Sequence, residues 1–486
     1  MRRLAAWLAA PALAGCMVGP NYQAPTLPAP QAYGEQAAAP QASAETADLA
    51  RWWAQLGDPE LTSLIERALA RNLDLKTAVS RVKEAHEQVV VARAALFPQL
   101  NASAIAAHRD ANNGGASAAA SSAPGQAAGG AGTSNPLESL PRHFNLYDLG
   151  FSSSWEIDLF GGARRQTEAA RAQAEGAEWE ARDVQVELTA QVARAYLSLR
   201  QAQARKAQAQ ADIARIGDLL DLVSARAKAG VVTDLDVNQQ RQALAARRAE
   251  VPQLDQQARS AIHALGVLLG EPPMALAAEL SPAKPLPAAP QTLPVGLPSE
   301  LLKRRPDLRA AERNLAAATA QIGVAVADRY PKLNLLDLAG VAANRLNALT
   351  NSRNLSNIAL GQLSLPLFDA GRRRATVRAK EAEAEQADLA YRQAWLGALQ
   401  EVEDALVAYA ADGRREAALT EELRTARDTA TLARARYQAG LTPFLDVLEA
   451  EAAVNQAGDQ LVSARSAQAG DTVTLFTALG GGWTPG

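Results

Sequence analysis

The sequence predicts an α+β membrane protein built from two internal repeats, each joining long helices to a pair of strands. Three observations predict it. The stretch ARAALFPQLN at 92–101 returns as AVADRYPKLN at 325–334. At the same offset of 233, Asp74-Leu75 falls on Asp307-Leu308, Ala78 on Ala311 and Ala92 on Ala325. A match of that length at one fixed offset marks a duplicated unit. Next, residues 161–251 and 371–439 contain no proline and keep apolar residues three and four apart, as in Val184, Leu188, Val192, Ala195 and Leu199 or Leu399, Val402, Leu406 and Tyr409. That is helical spacing. Finally, Tyr147, Leu149, Phe151, Trp155, Ile157 and Leu159 alternate with Asp148, Gly150, Ser152, Ser154, Glu156 and Asp158. A strand that long exceeds the 9–11 residues a tilted membrane strand needs.

Composition supports a thin, helix-rich architecture. A chain of 486 residues is too long for one compact domain, yet aromatics are only 5% and alanine is abundant. Alanine is the best helix former and lets helices approach closely. The net charge is −3, with no basic stripe, so no nucleic-acid partner is expected. Past residue 16 no run of 18 apolar residues occurs, so no transmembrane helix is expected. Without such a helix a membrane span must be a closed barrel, the other structure whose backbone groups are all satisfied in lipid.

Residues 1–15 read as a signal peptide: Arg2-Arg3, then an apolar run from Leu4 to Ala14. Leu13-Ala14-Gly15-Cys16 resembles a lipobox, so Cys16 is the expected acylation site; the bland alternative is an ordinary signal with a chance cysteine. Met17 stands where inner-membrane retention favours Asp, which points to the outer membrane. Residues 16–56 form an extended Pro-rich segment. The first repeat spans 57–269. Asp58 caps a helix with Pro59 at its first position, and Leu61, Leu64, Ile65, Ala68 and Leu69 face one way. A second helix covers about 74–95. Pro98 ends it and opens a strand at about 98–108. An aperiodic Gly/Ser/Asn loop follows, then a strand at about 146–160. LFGGARR at 159–165 leads into a helix over 163–228, about 100 Å long. It turns at ARAKAGVVTDLDV (225–237), where Gly230 suits a C-terminal cap and Thr233 an N-cap. The return helix reaches about 269 and is expected to kink at Pro252. A Pro-rich connector, the equatorial region, fills 270–298. The second repeat spans 299–480, with Pro331 in the role of Pro98, strands at about 331–341 and 355–367, and a helix over 371–439. ARYQAGLTPFLDVLEA (435–450) is its turn, where Thr442 can cap with Pro443 next.

Four strands per chain cannot close a membrane barrel, which takes about eight. Several chains must pool them. A fibrous coiled coil would explain the helices but leave the strands without a place.

RWWAQLGDPELTSLIERALARNLDL, the FPQLN and YPKLN pair, LFDAGRRR, ARYQAGLTPFLDVLEA and CMVGPNYQAP, taken together and in order, resemble the TolC-like outer-membrane efflux family, in its lipoprotein (NodT/OprM-like) branch. The resemblance implies a homotrimer: a twelve-stranded β-barrel in outer-membrane lipid, continuous with a long periplasmic α-helical barrel. It implies a passive exit duct for small toxic compounds or drugs, working with a periplasmic adaptor (a membrane fusion protein) and an RND-type inner-membrane transporter. It implies a periplasmic gate at Asp236, Asp446 and Glu449, with Tyr437 tying the inner helix to its neighbour. It implies adaptor contacts at Gly230, Val231, Val232, Gly440, Leu441 and Thr442. Thr442 stands where the best-known family channel has Arg, so that ionic latch is not carried over. The residues themselves leave another reading open, in which Asp236 and Asp446 stabilise helix N-termini and the glycines serve the turns. Pro98 and Pro331 mark the helix-to-strand rim. His86, His108, His143 and His263 lack metal-ligand spacing, and Gly480-Gly481-Gly482 is no phosphate loop. No cofactor, metal or enzymatic activity is expected. Competing roles are a type I protein-secretion duct and a lipid-anchored structural coiled coil.

Overall fold

The computed structural model describes residues 17–37, 42–43, 49–110, 143–290 and 293–484. Cys16, the signal peptide and the Gly/Ser/Asn loop ahead of residue 143 lie outside them.

Helix α1 (Pro59–Arg71) starts as expected: Asp58 Oδ1 accepts from Glu60 N at 2.8 Å and Leu61 N at 3.2 Å. Helix α2 (Leu73–Ala94) ends before strand β1 (Gln99–Asp110), and β2 (His143–Ile157) returns. Helix α3 (Gly162–Lys228) and helix α4 (Asp234–Leu268) form the first long hairpin, with Pro252 inside α4. A two-turn helix (Pro298–Arg304) precedes α5 (Pro306–Ala327), then β3 (Lys332–Ala343), β4 (Leu355–Ser364), α6 (Arg372–Gln438) and α7 (Phe444–Ala478). The repeat is visible in the lengths. α2 and α5 each have 22 residues, β1 and β3 have 12, α3 and α6 have 67, and α4 and α7 have 35.

Two strands end three residues short of expectation. β2 stops at Ile157 rather than near 160, because Asp158 leaves the ladder to cap α3: its carboxylate accepts from Ala163 N at 3.3 Å and Arg164 N at 3.0 Å. β4 stops at Ser364 rather than 367, just ahead of Pro366, which has no N–H to offer a ladder.

The chain divides into two compact units, and each draws on both repeats. The first comprises residues up to Tyr22, Glu87–Arg171 and Ala317–Ala384. It holds an antiparallel sheet in the order β1-β2-β3-β4. The register aligns Ala104, Leu149, Val341 and Leu355 in one row and Ala102, Phe151, Ala339 and Asn357 in the next on the same face. Gly150 faces Gly340, and a Cβ on Gly340 would sit 2.8 Å from Gly150 Cα. The two central strands approach so closely there that only glycine fits. The second unit comprises Gln23–His86, Ala172–Ala316 and Glu385–Gly486. Its main core gathers Trp52, Trp53, Leu61, Tyr196, Leu265, Trp395, Leu406 and Phe476. Trp52 stacks on Phe476 with ring centroids 5.8 Å apart. The Gly480-Gly481-Gly482-Trp483 tail is fastened into it, with Gly482 N donating to Leu49 O and Trp483 Nε1 to Arg304 O.

Candidate functional site: the hairpin tips and the strand rim

Both hairpin turns use one device. Gly230 has φ of 74° and Gly440 of 75°, the left-handed region that glycine reaches without a Cβ penalty. Val231 N donates to Arg226 O and Gly230 N to Ala227 O; Leu441 N and Gly440 N repeat the pattern on Arg436 O and Tyr437 O. These are paired Schellman closures. Beyond the glycines the turns differ. Thr233 caps α4, and its N–H and hydroxyl both donate to Asp236 Oδ2 at 3.2 Å. Asp236 thus serves the helix N-terminus. In the second turn Pro443, not Thr442, takes the N-cap position, and α7 begins one residue later than a Thr442 cap would place it. The Thr442 hydroxyl has no hydrogen-bond partner among the described residues. Proline's fixed φ supplies the extended cap geometry in its place.

Asp446 and Glu449 are exposed, and neither has a hydrogen bond or ion pair among the described residues. Tyr437 is buried at 4% exposure, but its hydroxyl makes no hydrogen bond. It works as an apolar body: it packs with Leu219, Val223, Val237, Phe444 and Val447, with Val232 half-buried against them. The polar tie comes from a residue the sequence reading missed. Arg226, in the last turn of α3, donates from Nη1 to Tyr437 O at 2.9 Å and from Nη2 to Gln438 O at 2.7 Å. Its guanidinium lies 4.6 Å from the Tyr437 ring centroid. A cation at the C-terminal carbonyls of α6 is favoured by the helix dipole. The available signal was a basic residue one turn before Gly230, opposite the aromatic one turn before Gly440. Outermost on the tips, Val231 and Leu441 are exposed at 67% and 70%. Leu235 and Leu445 are exposed with them, at 64% and 48%.

Pro98 and Pro331 occupy equivalent joints. Phe97 N closes the end of α2 on Ala94 O, and Tyr330 N closes the end of α5 on Ala327 O; each proline is followed at once by its strand. Trp155 Nε1 donates to Leu96 O at 3.1 Å, tying β2 to the first joint. Phe160 stacks on Tyr330 at 4.6 Å, and Phe97, Leu367 and Phe368 lie exposed nearby in sequence to the strand ends. Aromatics clustered at strand ends are the mark of a membrane–water boundary. The segment just past Cys16 is fixed in this unit as well. Arg165, 1% exposed, donates to Val18 O, Gly19 O, Asn21 Oδ1 and Glu168, while Val18 N donates to Phe160 O.

In the second unit two carboxylates hold their protons unusually tightly. Burial, then Asp307, pushes Asp183 up to about 6; burial, then Asp412, pushes Asp471 up to about 6.

A sheet with exposed apolar side chains, aromatics at its ends and two edges unpaired among the described residues, together with long helical hairpins, defines an outer-membrane channel subunit. The chain belongs to the outer membrane efflux protein family, whose model matches residues 64–271 and 297–481. The break in the match falls on the Pro-rich connector. The chain is 34% identical to the pyoverdine export outer membrane protein OpmQ of Pseudomonas aeruginosa, covering 90% of this chain and 89% of that one. It is 32% identical to outer membrane protein OprJ of the same organism, over 99% of this chain and 96% of that one. Among solved structures it resembles the outer-membrane channel OprN, with a TM-score of 0.86, 34% identity, and 97% of this chain and 100% of that one covered. The protein is an outer-membrane efflux channel.

Proposed function

We propose that three copies of this chain close a twelve-stranded barrel in the outer membrane, and that their helices form one periplasmic tunnel serving as the passive exit duct of a tripartite pump. One observation carries the reading. The sheet has four strands, its edges β1 and β4 are unpaired among the described residues, and a closed membrane barrel needs about eight. No helix among the described residues is long and apolar enough to cross a membrane, so a span rests on strands. Exposed apolar side chains on one face of the sheet, among them Leu149, Phe151, Leu355 and Leu363, support a lipid-facing wall.

Acylation at Cys16 anchors each chain, and a multiply acylated cysteine binds a bilayer firmly. A periplasmic adaptor seats on the tips through Gly230, Val231, Val232, Gly440, Leu441 and Thr442, with an RND-type inner-membrane transporter driving export of small toxic compounds. The small-molecule reading is supported by the pyoverdine export named for OpmQ. Asp446 and Glu449, repeated by three-fold symmetry, give acidic rings that favour cations at the narrowest level. Their exposure and lack of partners support that role. Asp236, held by Thr233, contributes to the first turn's shape and adds its charge beside them. Purified protein should run as a heat-modifiable trimer and conduct in planar bilayers. A monomer that conducts nothing in bilayers would overturn the reading.

A further inference from the structure

The two hairpins of each chain are joined at two levels, and the levels differ in kind. At the tips the joint is apolar, around Tyr437, with Arg226 at its edge. Farther along lies a network of buried charge. Arg247 of α4 donates from Nη2 to Asp212 of α3 at 2.6 Å. It also donates through both terminal nitrogens to Asp459 of α7, at 2.7 and 2.9 Å. Arg215 of α3 donates to Asn455 of α7 at 2.6 Å and lies 3.7 Å from Glu451. Glu451 is also paired with Arg434 of α6. All four long helices therefore share one network. The Asp212 carboxylate is 1% exposed and that of Glu451 5%. Beside it α3 and α7 come close, since a Cβ on Gly458 would sit 3.0 Å from Gln208 Nε2.

The two joints respond differently to movement. Leucine and valine side chains can slide or rotate over one another and keep most of their contact. A buried ionic network tolerates one register only, because a shift of α7 by a turn would part Asp459 from Arg247 and the buried Glu451 from Arg215 and Arg434. The network sits at matching depth on both hairpins. Asp212 is about 27 Å along α3 from Gly230, and Asp459 about 28 Å along α7 from Gly440, at 1.5 Å per residue.

We propose that Arg247 is the positioning residue that locks the second hairpin onto the first, so that opening and closing are confined to the segment between it and the tips. The inference rests on the reading that the tips close the tunnel. Purified trimers of Arg247→Gln, Asp459→Asn, Asp459→Glu and Asp446→Ala are compared by single-channel recording, with melting temperature measured in parallel. Arg247→Gln and Asp459→Asn should spend about tenfold more time conducting, equivalent to about 1.4 kcal/mol. Asp459→Glu, which keeps the carboxylate, should stay near the parent, and melting should shift little. If Arg247→Gln does not assemble, Asn455→Ala removes the Arg215–Asn455 hydrogen bond, leaves the Glu451 contact in place, and carries the same expectation at smaller size. Leak in Asp446→Ala with none in the network variants overturns the role of Arg247 and leaves the closed tips standing. Closed channels in every variant overturn the role of Arg247 and remove Asp446 from the gate, whereas parent trimers that already conduct fully overturn the closed-tip reading and the inference with it.

Discussion

Arg226 offers the most direct test of how the tips are held. Replacing it with Ala removes two charge-assisted hydrogen bonds, to Tyr437 O and Gln438 O, and one cation–π contact. Such hydrogen bonds contribute about 1.5–3 kcal/mol each when desolvated, and an exposed cation–π contact about 0.5–1 kcal/mol. Arg226 is half-buried and one of its two bonds is exposed, so solvent screening reduces the sum. About 2 kcal/mol per tip remains, equivalent to a shift of about thirtyfold between joined and parted tips. Arg226→Lys keeps the charge but not the fork that reaches two carbonyls, and should recover only part of it. The assays are bilayer conductance of the purified channel and entry of a large antibiotic into cells. Arg226→Ala should leak and Arg226→Lys should leak less. If Arg226→Ala behaves as the parent while Asp446→Ala leaks, the tie does not hold the tips.

Asp446→Ala should raise conductance or antibiotic entry and weaken cation preference; unchanged conductance and selectivity would remove Asp446 from the gate. Gly340→Val would place a side chain against Gly150 Cα and Leu149 O, at 2.8 and 2.9 Å for its Cβ, so the yield of heat-modifiable trimer should fall steeply while helical circular dichroism persists. Cys16→Ser should abolish palmitate labelling; persistent label would place the anchor elsewhere. Asp471 binds a proton more tightly folded than unfolded, so its contribution to stability is greatest in acid and is lost as pH rises from about 4 through about 6. Asp471→Asn should therefore stabilise the protein at pH 7, by about 1 kcal/mol once solvent screening of this half-buried group is allowed for, and flatten that part of the stability profile. Equal thermal midpoints for parent and variant at pH 7 would contradict it.

The fold was legible where one local signal decided an element. Asp58-Pro59 placed the start of α1, the absence of proline gave α3 and α6 nearly to the residue, and Pro98 and Pro331 marked both strand starts. Strand ends were less legible, because a capping side chain decides them. Asp158 continues the alternating pattern of β2, but its carboxylate is used by the amides of α3. Alternation records which face a residue takes and not whether its backbone still pairs. The compact units were not legible from the repeat either: β2 of the first repeat pairs with β3 of the second, so duplication in sequence does not produce separation in space.

The site shows the same division at the level of side chains. Turn glycines and their flanking residues could be located because a left-handed position constrains its own residue type. The manner in which Tyr437 acts was not legible: its hydroxyl has no partner among the described residues, while its ring does the packing. The tie is Arg226, 211 residues earlier in the chain, acting on backbone carbonyls. A backbone acceptor leaves no mark in the sequence of its partner. The Arg247 network was hidden for a related reason. Asp212, Arg215, Glu451 and Asp459 each look like ordinary solvated charges on polar helix faces, and only the packing of α3 against α7 buries them together. In a wall made of alanine-rich helices, apolar contacts are too uniform to select one alignment, since neighbouring turns present nearly the same surface. Charges placed on four helices at one depth are not uniform. Specificity of register therefore has to come from the polar positions, which a search for apolar periodicity passes over.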